Sequence, residues 1–146
     1  MAITSAIANS FKQEILEAEH NFTASTGNTF KIALYTSSAT LSASTTAYST
    51  TAEITNTSGT AYTAGGASLT SVTPTLDSST AVCDFSDVSW TTASFTANGC
   101  LIYNDSHSTD AAVCAVAFGG DKTVSSGTFT IQFPAAAATT AIVRIA

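Results

Sequence analysis

The hydrophobic pattern changes period once. From Thr4 to Glu19, Ile3, Ile7, Phe11 and Ile15 recur at helical spacing beside Lys12, Glu14 and Glu17. That spacing predicts an amphipathic helix over residues 1–20, capped by Thr4 or Ser5 and ended by the small polar run 21–28 with Gly27. Beyond it the period is 2. Thr29 to Tyr35 alternates, placing Phe30, Ile32 and Leu34 on one face and Lys31 and Tyr35 on the other. Residues 37–60 are rich in Ser, Thr and Ala, which predicts a surface excursion with one edge strand near Glu53-Ile54. A strand is predicted over Ala67 to Thr75, ending near Pro74. Others follow at Ala81 to Trp90, Ser94 to Tyr103, Ala112 to Phe118, Thr128 to Phe133 and Thr139 to Ile145. The runs Asn104 to His107, Gly119 to Lys122 and Ser125 to Gly127 carry turn-forming residues between them.

Seven or eight short strands predict a mainly β chain: an antiparallel β-sandwich or jelly-roll-like barrel with one N-terminal amphipathic helix. The organisation expected is a single domain over 1–146, with the helix in 1–20, a β domain over 29–146 and the excursion at 37–60. The aromatics Phe30, Phe85, Trp90, Phe95, Tyr103, Phe118, Phe129 and Phe133 are spread along the strands and should share one core.

Composition changes the picture of the surface. Only 10% of residues are charged, whereas typical soluble domains have roughly 25%. Ser and Thr together supply roughly a third of the chain, so hydroxyls take the place of charges. The formal net charge is −6, and Lys12, Lys31, Lys122 and Arg144 are the only basic side chains apart from histidine. Nucleic-acid binding needs clustered Lys and Arg, so neither nucleic acid nor an anionic membrane is an expected partner. No apolar run approaches the roughly 20 residues of a spanning helix, and no secretory signal opens the chain, so synthesis in a cytoplasm is expected.

Candidate chemistry is sparse. A serine nucleophile needs a histidine and an orienting acid; His20 and His107 are the only histidines, and no Gly-x-Ser-x-Gly elbow occurs. Both histidines read as capping or turn residues. Cys83, Cys100 and Cys114 lie far apart in alternating runs, which predicts buried free thiols in place of a zinc site. Asp84 with Asp87, or Asn104, Asp105 and Asp110, match no defined calcium loop. The expectation is therefore a non-enzymatic chain that assembles or binds, with no catalytic residue, cofactor or metal.

Four strings carry a resemblance: Phe30-Lys31-Ile32-Ala33-Leu34-Tyr35, Tyr62-Thr63-Ala64-Gly65-Gly66, Leu101-Ile102-Tyr103-Asn104 and Phe118-Gly119-Gly120-Asp121-Lys122. Together they resemble small structural proteins of tailed bacteriophages, with a size and β character similar to capsid decoration, or cement, proteins. Asn98 stands where the resemblance would place a basic residue. It implies a virion component, assembled in the host cytoplasm, whose partners are the major capsid protein or other virion proteins, and which forms dimers or trimers. The alternatives are a tail, neck or fibre module, in which Tyr48, Tyr62 and Trp90 would stack on sugar, and a self-assembling extracellular filament subunit. Candidate partner contacts are Ile3, Ile7, Phe11 and Ile15 on the helix, and Tyr48, Ile54 and Tyr62 in or beside the excursion.

Overall fold

A computed structural model describes residues 1–146. The chain forms Ala6–Ile7 (β1), Asn9–Leu16 (α1), Phe30–Tyr35 (β2), Ala67–Ser68 (β3), Ser71–Asp77 (β4), Thr80–Phe85 (β5), Val88–Asn104 (β6), Ala111–Ile131 (β7) and Val143–Ile145 (β8). A five-stranded sheet runs β1-β7-β6-β2-β3 and a three-stranded sheet runs β4-β5-β8; every pairing between strands is antiparallel. The chain is mainly β, as the alternating pattern predicts.

The two sheets share one core, and aromatic rings join them. Phe30 on β2 lies 5.8 Å from Phe85 on β5, and Phe22, from the loop after α1, stacks on Phe30 at 4.2 Å. Phe85 also meets Phe133 at 5.5 Å. Such pairs add about 1 kcal/mol each beyond the area they bury.

The helix is shorter than predicted, covering 9–16 and not 1–20. Residues 2–8 form an extended arm instead. Thr4 donates its N–H to the Leu41 carbonyl, Ala8 to Val113 and Asn9 to Ala43, while Ala2 accepts from Leu41. With those backbone groups spent on the sheet and the excursion, no helical turn can form there. A spacing of four between Ile3 and Ile7 suits one face of a helix or one face of a strand, so the pattern did not distinguish them. Neither Thr4 nor Ser5 caps α1: Ala8 occupies that position without a side-chain bond, and Ser5 Oγ accepts from the Ala117 N–H. Ala18, at φ +61°, turns the chain out of the helix.

Two predicted turns are bulges inside one long strand. Between the pairs Ala97–Lys122 and Gly99–Ala117, Asn98 alone faces Phe118, Gly119, Gly120 and Asp121. Gly119 (φ +74°) and Gly120 (φ +142°) absorb the extra length, and Asn98 Nδ2 donates to Asp121 Oδ1 at 2.8 Å across it. Ser126 (φ +48°) makes a smaller irregularity, its N–H donating to Ser94 Oγ. The segments predicted as Ala112–Phe118 and Thr128–Phe133 are thus largely the continuous β7, and Ser94–Tyr103 joins the end of Ala81–Trp90 in β6. Pro74 likewise does not end a strand; it sits inside β4, at the edge of the small sheet, where a register shift separates Val72 from Thr75.

Gly66, at φ +77°, brings β3 against β2, and a β-carbon there would collide with the Ile32 carbonyl oxygen. Gly66→Ala is expected to destabilise the fold by about 3 kcal/mol, combining backbone strain and a backbone clash. Urea unfolding followed by circular dichroism checks this; an unchanged midpoint would exclude the close approach.

Candidate functional site

The most buried charge in the chain belongs to Glu53, only 6% exposed. The excursion carries it to β2, where Tyr35 bridges Glu53 and the Ile54 N–H donates to the Leu34 carbonyl. Its Oε1 accepts from the Tyr62 hydroxyl at 2.7 Å and the Gly65 N–H at 2.8 Å; its Oε2 accepts from the Tyr48 hydroxyl at 2.7 Å. The Tyr62 oxygen in turn accepts the Leu34 N–H at 2.9 Å. Tyr103 donates to the Gly65 carbonyl at 2.8 Å and stacks on Tyr48 at 4.6 Å, while Tyr35 donates to the Ser49 carbonyl. All four tyrosines of the chain therefore gather around one carboxylate. Burial raises the pKa of each; the charge of Glu53 adds to this at Tyr35, and the hydrogen bond to Glu53 at Tyr48 and Tyr62. Donors from the chain itself occupy both Glu53 oxygens, so what the cluster supplies is cohesion.

The histidines form a second polar knot. His20 is buried, with Nε2 2.7 Å from Glu14 Oε2 and Nδ1 3.1 Å from the Asn104 amide nitrogen. Because that nitrogen can only donate, Nδ1 accepts and Nε2 carries the proton toward Glu14. His107 places Nε2 2.6 Å from Glu19 Oε2 and Nδ1 3.0 Å from the Thr109 hydroxyl; its ring lies 6.2 Å from that of His20. Neither imidazole bonds a serine hydroxyl. The pair ties the segment after α1 to the β6–β7 turn, which exceeds the capping and turn roles the sequence suggested.

Cys83, Cys100 and Cys114 are free and buried, as their alternating surroundings predict. Burial pushes the thiols of Cys83 and Cys114 up to about 12 and that of Cys100 higher still.

The predicted contact residues all pack on this chain's own core. Phe11, Ile54 and Tyr62 are buried, while Ile3, Ile7, Ile15 and Tyr48 are half-buried against the same cluster. Ile3 bridges Leu41 and fills the space left by Gly99, where a β-carbon would lie 2.8 Å from it. The helix pattern read as a docking face folds the chain, although Ile7, Phe11 and Ile15 also line a surface cavity. The sugar platform also fails, since Tyr62 and Trp90 are buried.

Large apolar side chains are exposed elsewhere. Apart from Met1 they are Leu16 (88%), Leu76 (73%), Ile145 (55%) and Val72, at the end of α1 and on the two outer strands of the small sheet. Beside them lie two cavities that share Ile15, Val143, Arg144 and Ile145 in their walls. One, of 470 Å³, reaches Phe22 and Pro74; the other, of 320 Å³, reaches Ile7 and Leu16. Of the sequence-predicted contacts, Ile7, Phe11 and Ile15 line this region; the wall from β8 and the exposed Leu16 were missed because β8 contributes only three residues and Leu16 follows Ile15 without breaking the helical pattern. No family model, curated protein or solved structure matches this chain.

Two outcomes follow from the buried groups. Glu53→Leu leaves two tyrosine hydroxyls and the Gly65 N–H without their acceptor, and is expected to cost about 3 kcal/mol or more, with Glu53→Gln milder because its amide oxygen still accepts. Chemical denaturation of both variants tests this. The second concerns alkaline pH. Folded-state thiols and tyrosines hold their protons above their ordinary values of 9.0 and 10.0, so the unfolded chain loses protons first. Their contribution is fully present below about pH 9 and is lost as pH rises toward the folded-state values. A pH series of unfolding midpoints should fall across that window, with tyrosinate absorbance appearing together with unfolding; tyrosinate formed near pH 10 in still-folded protein would contradict the burial.

Proposed function

We propose that this chain is a structural protein of a virion, and specifically a capsid decoration protein that binds between major capsid subunits and stabilises the head. The observation that carries the reading is the distribution of its surface. A β framework closed by buried polar knots leaves its large apolar side chains exposed at α1 and the edges of the small sheet, on an exterior where hydroxyls outnumber charges. Uncharged cross-strand pairs such as Ser89–Thr130 and Thr96–Thr123, at 2.7 and 2.8 Å, line much of the exposed β6–β7 arm. Such a surface is desolvated at little cost, which suits a contact repeated many times.

The four strings that resemble tailed-phage structural proteins support the same reading, and we take the two sheets as the halves of a sandwich. The mechanism is mechanical. Each copy buries on the order of 800 Å² on its partner, and the shell gains stability by mass action. Dimers or trimers would match local symmetry axes. Quantitative mass spectrometry of purified particles tests the assignment: copy number near that of the major capsid protein is expected, a few dozen copies or fewer would move the chain to the tail or neck, and absence would overturn the virion reading.

A further inference from the structure

The small sheet has two outer strands, and they differ. β4 carries Pro74, which has no N–H to donate to an added strand, and its backbone is irregular on either side. β8 has no proline, and no backbone hydrogen bond reaches it from any strand except β5. Its residues Val143, Arg144 and Ile145 line both cavities, with Leu16 and Ile145 exposed beside them.

Charge separates the occupants. The chain is acidic as a whole, yet two of its four Lys and Arg residues, Lys12 and Arg144, line these cavities. Neither has a carboxylate within 4.0 Å: Lys12 donates to Asn9 Oδ1 and Arg144 to the Ala138 carbonyl. Glu14 is engaged by His20, Glu17 by Gln13, and Asp77 by the N–H of Ala138, the residue whose carbonyl takes Arg144. A twofold pairing of β8 with its own copy, centred on the strand, would set Arg144 against Arg144, which disfavours a second copy.

We infer that the groove between α1 and β8 receives an extended segment of another protein, with alternating large apolar and carboxylate side chains, added as a strand to β8. Main-chain bonds to the free edge would hold the segment. Its apolar side chains would enter the cavities against Ile15 and Val143, and its carboxylates would meet Lys12 and Arg144. The inference rests on the proposed function only in naming a virion protein as the source.

Fluorescence anisotropy with a short synthetic peptide alternating valine and glutamate, and a control alternating valine and lysine, tests it on the full chain. The acidic peptide should bind and the basic one should not. Arg144→Glu should weaken the acidic peptide about tenfold and admit the basic one. Leu16→Asp should weaken binding, whereas Leu76→Glu on β4 should leave it unchanged. These positions are exposed, and equal unfolding midpoints would show that the variants fold. No binding, equal binding of the two peptides, or indifference to Arg144→Glu would overturn the inference. Self-association abolished by Leu16→Asp would also overturn it, assigning the groove to a second copy. Particle copy number is read separately, so loss of the groove assignment would leave the virion reading standing, and the reverse.

Discussion

A buried carboxylate with filled valences holds this structure together. Glu53 is carried by a loop that has almost no regular structure of its own, and burial of its charge is tolerated only because two tyrosine hydroxyls and a main-chain amide surround it. Through Tyr62 the same carboxylate reaches the Leu34 N–H in β2; through Gly65 it reaches the Tyr103 hydroxyl in β6. The loop, the central strands and the Gly65-Gly66 corner are thereby fixed relative to one another. Removing the acid would leave several polar groups without partners at once, so the cluster acts as a unit.

That rigidity bears on where a partner can bind. The N-terminal arm and the excursion, both rich in small residues, have the composition of loose segments, yet each is bonded to the large sheet. The small sheet is held differently, chiefly by aromatic contacts through Phe85 and by the bond from the Ala24 N–H to the Thr73 hydroxyl. Its outer strands are left with exposed apolar side chains, and the one without proline has the cations beside it.

Much of the β framework was legible in the alternation of residues, above all Phe30 to Tyr35, where the spacing identifies the strand; Ala33 and Tyr35, on the face read as outward, are buried as well. The errors have physical causes. Gly119-Gly120 signals permissive backbone angles, and a wide bulge needs those as much as a reverse turn does. Ile3 and Ile7 share a face in either regular conformation, and only the distant acceptors at Leu41 and Val113 decide for the extended form. Tyr48 and Tyr62 looked like contact residues because a hydroxyl-rich loop has no visible core pattern. Tyr62 is buried and Tyr48 half-buried, and both bond Glu53, a lone acid that in sequence resembles any solvated loop charge. The groove at β8 was not legible, since it is made by bringing residues near position 15 beside residues near position 144.

The arm at the start of the chain has a further consequence, for the order of events during synthesis. Ala6 and Ile7 pair with Ala115 and Cys114, so during synthesis these residues wait for partners more than a hundred positions later. Until β7 emerges, Ile7 lacks the strand it pairs with, although Ile3 already has Leu41 and Phe11 already has His20 and Phe22 beside it. Completion of the large sheet is therefore a late, long-range event. The strand pairing of the arm thus behaves as a latch that closes only once β7 is made, and translation products cut before β7 would carry Ala6 and Ile7 unpaired and prone to aggregate.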